Sequence, residues 1–292
     1  MPYACLNDCR MFYEVRGEGE AAVFIHGGFP SIDMHLRAPS IGPWTWEADF
    51  AAAYRFIAYD RRGCWRSART ETGYGLEDQA RDLVALLDHL EVDEAHVIGS
   101  SAGGPIAILF AAIYPERTRT LVLAGTAADL WPDEDPVTRI VKEQLEILEK
   151  QGAEAAWDNR PPGVELSLDV LWEREEMKER SVLPEYEERI EKFVKQCTRK
   201  DLVLWYETQL RAISAYLDRD LVEPCARISV PTRVVHGSND REVPAAWGRD
   251  LAAKIRGAEF IMYPDESHGV VHRCGAVRAE LIAFYQKNRN NL

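Results

Sequence analysis

The chain has 292 residues, 46% of them hydrophobic and 28% charged, with 48 acidic side chains against 35 basic ones and a formal net charge of -13. That much apolar material supports a large core, which excludes a disordered chain and a disulfide-dependent miniprotein. A surface so acidic, with no basic stripe to offset it, repels phosphate backbones and anionic lipid, so neither nucleic acid nor a membrane is expected as a partner. The longest apolar run, residues 106–114, is far short of the roughly 20 residues of a membrane helix. No basic segment followed by an apolar one opens the chain. A soluble, cytoplasmic protein is expected. The six cysteines, Cys5, Cys9, Cys64, Cys197, Cys225 and Cys274, lack metal-ligand spacing, so reduced, mostly buried thiols and no bound metal are expected.

Along the chain, short β-branched or aromatic runs each end in a turn signal and give way to a helical pattern. Residues 21–25 end in His26-Gly27-Gly28, and residues 55–59 end in Asp60-Arg61-Arg62-Gly63. Leu83, Leu86, Leu87 and Leu90 then recur at helical spacing within 76–90. A run at 95–98 ends in Gly99-Ser100-Ser101 and precedes a helical stretch at 104–114; a run at 119–123 ends in Ala124-Gly125-Thr126. Late in the chain, 232–235 ends in His236-Gly237-Ser238 and 259–262 in Tyr263-Pro264-Asp265, with helical patterns over 245–255 and 277–285. Strands that alternate with helices imply βαβ units in a doubly wound, mostly parallel α/β sheet, whose functional loops lie at the carboxyl ends of its strands. Between 129 and 221 the alternation stops. Helical patterns alone appear there: one opened by Pro136, a second by Ser167, a third from Pro184 to Cys197 and a fourth from Asp201 to about residue 217. The expected organisation is a core of residues 1–128 and 222–292 with a helical cap, 129–221, inserted in it.

Gly99-Ser100-Ser101-Ala102-Gly103 fits G-x-S-x-G, between a predicted strand and a predicted helix. A tight turn there projects the Ser101 hydroxyl, and the amides from Ala102 onward, at a helix N-terminus, favour negative charge. An activated serine needs a base, and the base an orienting carboxylate. His268 lies just past the last predicted strand and Asp240 just past the one before it, so both share a sheet edge with Ser101. His272 competes for the role of base and Asp129 for that of acid, while Asp240 could instead cap the helix that begins near Pro244. An acyl-transfer intermediate also needs two amide donors for its oxyanion. Ala102 is one candidate, and Gly28 or Phe29 in the His26-Gly27-Gly28-Phe29-Pro30 loop is the other. His26 reads as a structural residue of that loop, and His35, His89, His96 and His236 as surface or core histidines.

With HGG, DRRG, GxSxG, GxxD and a terminal H-G in this order, the chain resembles the capped α/β-hydrolases over its whole length outside the insertion. The resemblance implies Ser101 as nucleophile, Asp240 as acid, His268 as base, and Ala102 with Gly28 or Phe29 as oxyanion donors. Two departures stand out: Trp65, where D-x-R-G-x-G-x-S has a small residue, and the long stretch 31–46, which carries Arg37, Pro39, Pro43, Trp44 and Trp46. A serine at the elbow argues against the halide and epoxide chemistry of relatives with aspartate there, because serine attacks an acyl carbon and is released by water. Hydrolysis of a small, apolar or aromatic carboxylic ester is the leading reading, with no cofactor. Lactone, amide or C–C hydrolysis with the same triad stays open, as do perhydrolysis, by resemblance alone, and a small-molecule receptor of the same fold. Phe29, Arg37, Trp44, Trp46, Trp131 and Trp205 are the candidate pocket residues. The expected partner is a small-molecule substrate, and a homodimer stays open.

Overall fold

The computed structural model describes residues 2–28, 47–130, 132, 136–162, 188, 195, 197–217 and 219–289. They divide into two compact units, one holding a sheet with its flanking helices (through residue 27, then to 130, and from 220 onward) and the other centred on 131–219, with Gly28 grouped in it.

In the first unit eight strands form one sheet in the order β1-β2-β4-β3-β5-β6-β7-β8. β1 (Tyr3–Leu6) and β2 (Cys9–Arg16) pair antiparallel through a tight turn at Asn7 and Asp8, both at positive φ (45° and 60°). This hairpin is absent from the sequence expectation because β2 carries no clean alternation of apolar and polar residues; its hairpin signal is the turn pair, whose side chains tolerate the left-handed region. β2 also pairs antiparallel with β4 (Arg55–Tyr59). The other pairings, through β3 (Ala21–Ile25), β5 (Ala95–Ser100), β6 (Thr118–Ala124), β7 (Thr232–Gly237) and β8 (Glu259–Tyr263), are parallel. The result is the mostly parallel α/β sheet expected from the alternating runs.

Helices cover both faces. Alternate residues of four adjacent strands (Ala22 and Phe24, Phe56 and Ala58, Ile98, Val122 and Ala124) point into one apolar cluster with Phe50 of α1 (Glu47–Ala51) and with Val277, Leu281 and Tyr285 of the C-terminal helix. Period two along a strand and burial on both faces together produce such near-continuous apolar runs. Against the opposite face pack α2 (Leu76–His89), with Leu83, Leu86 and Leu87 buried, and α3 (Gly103–Ile113). α3 is apolar all round, as a helix enclosed by its neighbours must be. After the second unit the chain continues through α7 (Val222–Arg227), α8 (Ala245–Lys254), the short α9 (Val270–Arg273) and α10 (Gly275–Lys287).

The second unit has its own packing. α4 (Pro136–Gln151), α5 (Ala153–Asp158) and α6 (Arg199–Ser214) meet around Tyr206, whose hydroxyl donates to Gln144 Oε1 at 3.1 Å and whose ring meets Trp157 edge-on at 5.9 Å. α6 opens with a reciprocal capping box between Thr198 and Asp201. The helices expected from Ser167 and Pro184 fall outside the described residues. Among the described residues no helix is long and apolar enough to cross a membrane.

His96, on β5, is fully buried, with Nδ1 2.9 Å from Thr120 Oγ1 and its ring stacked on Tyr285 at 4.2 Å. Burial pushes its pKa down to about 4. The unfolded chain takes up this proton near pH 6.5, so between about pH 6.5 and 4 it binds more protons than the folded one, and stability falls with pH. Wild type is expected to lose up to ~3 kcal/mol more than His96→Phe between pH 7 and pH 4, as read from urea unfolding. Equal losses in the two proteins would show that His96 is not the cause.

Candidate active site

Ser101 stands between β5 and α3 with φ +49°, in the left-handed region that a non-glycine residue enters at a cost. Its amide donates to Ala124 O at 2.9 Å, and its carbonyl accepts from Gly104 N at 2.8 Å and from Thr126 Oγ1 at 2.8 Å. Glycines make the turn possible. A Cβ on Gly103 would lie 2.2 Å from Ile25 O, one on Gly104 2.2 Å from Thr126 Oγ1, and one on Gly99 2.6 Å from Ala107 Cβ. Ala102 begins α3 with helical backbone angles. Its amide is thus at the positive end of a helix buried from Gly103 to Ala111.

His268 Nδ1 lies 2.9 Å from Asp240 Oδ2, and the Asp240 side chain is fully buried. The two loops that carry them are knitted together: Ser238 N donates to Tyr263 O (2.9 Å), Asn239 N to Glu266 O (2.8 Å) and Asp265 N to Ser238 Oγ (2.9 Å). Gly125 closes the arrangement at the end of β6. It has φ +53°, and a Cβ there would come within 3.3 Å of His268 Nδ1 and 3.4 Å of Asp240 Oδ2. Gly125 is flanked by Ala124 and Thr126, the residues that bond to Ser101, so one three-residue turn joins the serine to the His–Asp pair. Asp129 lies exposed beyond this turn. His272 is buried on α9, edge-on to Phe24 at 5.7 Å. Of the competing acids and bases, therefore, Asp240 and His268 are the bonded pair.

Asp240 has further partners that its sequence position did not disclose. Oδ1 accepts from the amides of Glu242 (3.0 Å) and Val243 (2.8 Å), which fixes the loop. Oδ2 also lies 3.1 Å from His236 Nε2. That nitrogen is 2.7 Å from Val243 O, which can only accept, so Nε2 carries the His236 proton. The ring fits because residue 248 is glycine; a Cβ there would be 2.2 Å from His236 Nδ1. Burial by itself would raise the Asp240 carboxyl, but the charge of His268 and the hydrogen bonds from His236, His268 and Val243 overcome it and hold the group well below the usual carboxylate range. His236 is thus a core histidine, but one bonded to the site. Glu242 is the other neighbour missed by sequence reasoning, with Oε2 3.5 Å from His268 Nε2. No spacing rule would have found either, since both contacts depend on how the 237–243 loop folds.

His26 is structural, as expected. Nδ1 lies 2.7 Å from Gly27 O, and Nε2 accepts from Arg61 N at 3.1 Å. The 60–63 loop is itself anchored by buried charges: Arg62 grips Asp82 of α2 through Nε (2.9 Å) and Nη2 (2.7 Å), and Arg61 Nη1 donates to Gln79 Oε1 at 3.0 Å. Trp65 follows in the left-handed region, at φ +39°. Gly27 touches the serine directly, since a Cβ there would be 2.6 Å from Ser101 Cβ and 3.4 Å from Ser101 Oγ. Gly28 has φ +50°. Trp205 is buried on α6. Phe29, Arg37, Trp44, Trp46 and Trp131 lie outside the described residues. Of the six cysteines, Cys9, Cys64 and Cys225 are buried, Cys197 and Cys274 half-buried and Cys5 exposed, so burial covers fewer thiols than expected.

The sequence pattern of the alpha/beta hydrolase fold family matches residues 22–272. The chain belongs to that family. A non-heme haloperoxidase of Rhodococcus erythropolis is 27% identical to this α/β hydrolase, the match covering 98% of this chain and 100% of the relative. A 2-hydroxy-6-oxononadienedioate/2-hydroxy-6-oxononatrienedioate hydrolase of Comamonas testosteroni is 26% identical, over 90% of this chain and 86% of its own. Among solved structures, a thermophilic esterase from Thermogutta terrifontis is similar with a TM-score of 0.69 at 24% identity, covering 96% of this chain and 94% of the other. At that identity the likeness speaks to the fold alone.

Gly27→Ala is expected to push the Ser101 side chain aside while leaving the sheet folded. Displacement of a reacting group on the scale of 1 Å costs about 100-fold in rate, so hydrolysis of an activated ester should fall by that order with an unchanged circular dichroism spectrum. Full activity in Gly27→Ala would show that this contact does not position the serine.

Proposed function

We propose that this α/β hydrolase is a serine hydrolase that cleaves a small, apolar or aromatic carboxylic ester through an acyl-enzyme. The observation that carries the reading is the His268–Asp240 bond of 2.9 Å, joined through Gly125 and its neighbours to a left-handed Ser101. Asp240, an acceptor only, keeps the proton of His268 on Nδ1, so Nε2 is the basic nitrogen. Ser101 Oγ attacks the acyl carbon while His268 Nε2 takes its proton. Asp240, held ionised by its donors, stabilises the imidazolium that forms. The Ala102 amide, at the start of α3, is one oxyanion donor, and Gly28 or Phe29 supplies the other. His268 returns the proton to the departing alcohol, and water repeats the sequence to release the acid. None of these steps uses a cofactor.

In this reading the helices between 129 and 221 act as a cap over the core of residues 1–128 and 222–292. Trp131 and Trp205, with Phe29, Arg37, Trp44 and Trp46, are proposed to line the pocket that receives a small-molecule substrate. Support for the aromatic preference comes from the density of Trp and Tyr in this segment.

The test is release of p-nitrophenol from acetate, butyrate and octanoate esters by wild type and Ser101→Ala. Turnover is expected to peak at short or medium chains and to fall by about 10,000-fold or more in the variant. Activity that survives the substitution overturns the assignment. A folded wild type inactive on all three esters argues against ester hydrolysis and for C–C or lactone hydrolysis with the same residues.

A further inference from the structure

The imidazole of His268 has a carboxylate on each side. Asp240 Oδ2 is 2.9 Å from Nδ1, and Glu242 Oε2 is 3.5 Å from Nε2, the nitrogen that takes the serine proton in the reading above. The side chains of His268 and Glu242 are 13% and 14% exposed, so water screens their interaction only in part. The same loop delivers both acids. Asp240 Oδ1 accepts from the amides of residues 242 and 243, a turn that holds the backbone of Glu242 against the carboxylate of Asp240. At 3.5 Å Glu242 makes an ion pair with an imidazolium rather than a short hydrogen bond with Nε2. It therefore acts mostly when the ring is charged.

We propose that Glu242 is a positioning residue for the catalytic histidine, a second carboxylate that stabilises the His268 imidazolium from the Nε2 side. The proposal rests on the serine-hydrolase reading for its catalytic meaning, although its effect on the ring does not require turnover. Among the described residues, three other groups of the packed elements bear on the ring or its loop. His236 meets the shared Asp240 oxygen from the far side and donates through Nε2 to Val243 O. Gly125, at the end of β6, approaches the ring without a charge. Arg278, on the helix that follows, is committed to Asp49 and to the carbonyls of Val271 and His272.

The sign follows from which form needs Glu242. The free enzyme is active with the imidazole neutral. A carboxylate that favours the imidazolium delays its loss of a proton and sets the acidic limb of kcat/KM at higher pH. Removing the charge should move the limb down. It should also lower the plateau, because the imidazolium formed during acylation loses a stabilising partner.

The experiment compares wild type with Glu242→Gln, which keeps shape and removes charge, using p-nitrophenyl acetate as a substrate that does not itself titrate. The acidic limb is expected to drop by about one pH unit, as for an opposite charge removed from within about 4–6 Å. Glu242→Gln should then keep about half of its plateau at a pH where wild type keeps about a tenth. In parallel, the His268 Cε1–H resonance, assigned by its loss in His268→Gln, is titrated in Ser101→Ala with and without Glu242→Gln. Its midpoint should fall by the same amount. A limb and a resonance that titrate at the same pH with and without Glu242 overturn the proposal, even if the plateau falls, since a merely structural residue lowers the plateau alone. Survival of activity in Ser101→Ala would instead strike the hydrolase reading, and the resonance would still report on Glu242.

Discussion

Three glycines around the turn from β5 to α3 sit where a Cβ would strike a neighbouring backbone or side chain, and the rest of the site is built outward from those contacts. Gly103 lies against the carbonyl of Ile25 at the end of β3, Gly104 against Thr126 past the end of β6, and Gly99 against the first turns of α3. Such close approach is open to glycine alone. It forces β5 to turn into α3 within a few residues, and the one non-glycine residue that has to adopt φ +49° at the apex is Ser101. The strain is tolerated because the neighbours over-determine it, with three hydrogen bonds on the Ser101 backbone.

Buried charge is the second organising feature, and each buried charge in the loops around the serine has partners. Arg62 and Asp82 form a two-pronged pair that ties the 60–63 loop to α2 and, through Arg62 Nη2 and Asn7 O at 2.9 Å, to the N-terminal hairpin. Asp60 is fully buried and paired with Arg66 at 2.7 Å, while its carbonyl accepts from Ser67. From this anchored loop the Arg61 amide reaches back to His26 and holds the segment that carries Gly27. Asp240 obeys the same rule nearer the chemistry, with two backbone amides on one oxygen and two histidines on the other. An ionised carboxylate without water must be saturated with donors. Here the donors also position His268.

The second unit shows how little of a helical segment's packing is visible in a linear pattern. Arg199 pairs with Glu154 and Asp158, contacts between helices more than 40 residues apart, and Arg160 lies over the ring of nearby Trp157 at 3.8 Å. The linear pattern shows neither contact, and it offers the aromatic residues of this segment as pocket lining. Trp157 and Tyr206 are packing residues inside this unit.

The sequence alone determined the class of fold, the strand ends that gather the candidate residues, and Ser101, Asp240 and His268 as those candidates. These are legible because period-two and period-3.6 patterns, Gly-rich turns and the rule that sites gather at the carboxyl ends of parallel strands are all local or topological. The antiparallel hairpin of β1 and β2 escaped because β1 has only four residues and β2 is only half-patterned. Its signal was a two-residue turn. Only the tertiary structure decided between Asp240 and Asp129 and between His268 and His272 as the bonded pair, and only it brought His236, Glu242, Gly27 and Gly125 to their places. His236 depends on how the 237–243 loop folds, and the others on approaches of about 2–4 Å between loops far apart in the chain. A one-dimensional pattern carries which residues can do chemistry, but the approach of one backbone to another is set by packing, and it was packing that assembled the site.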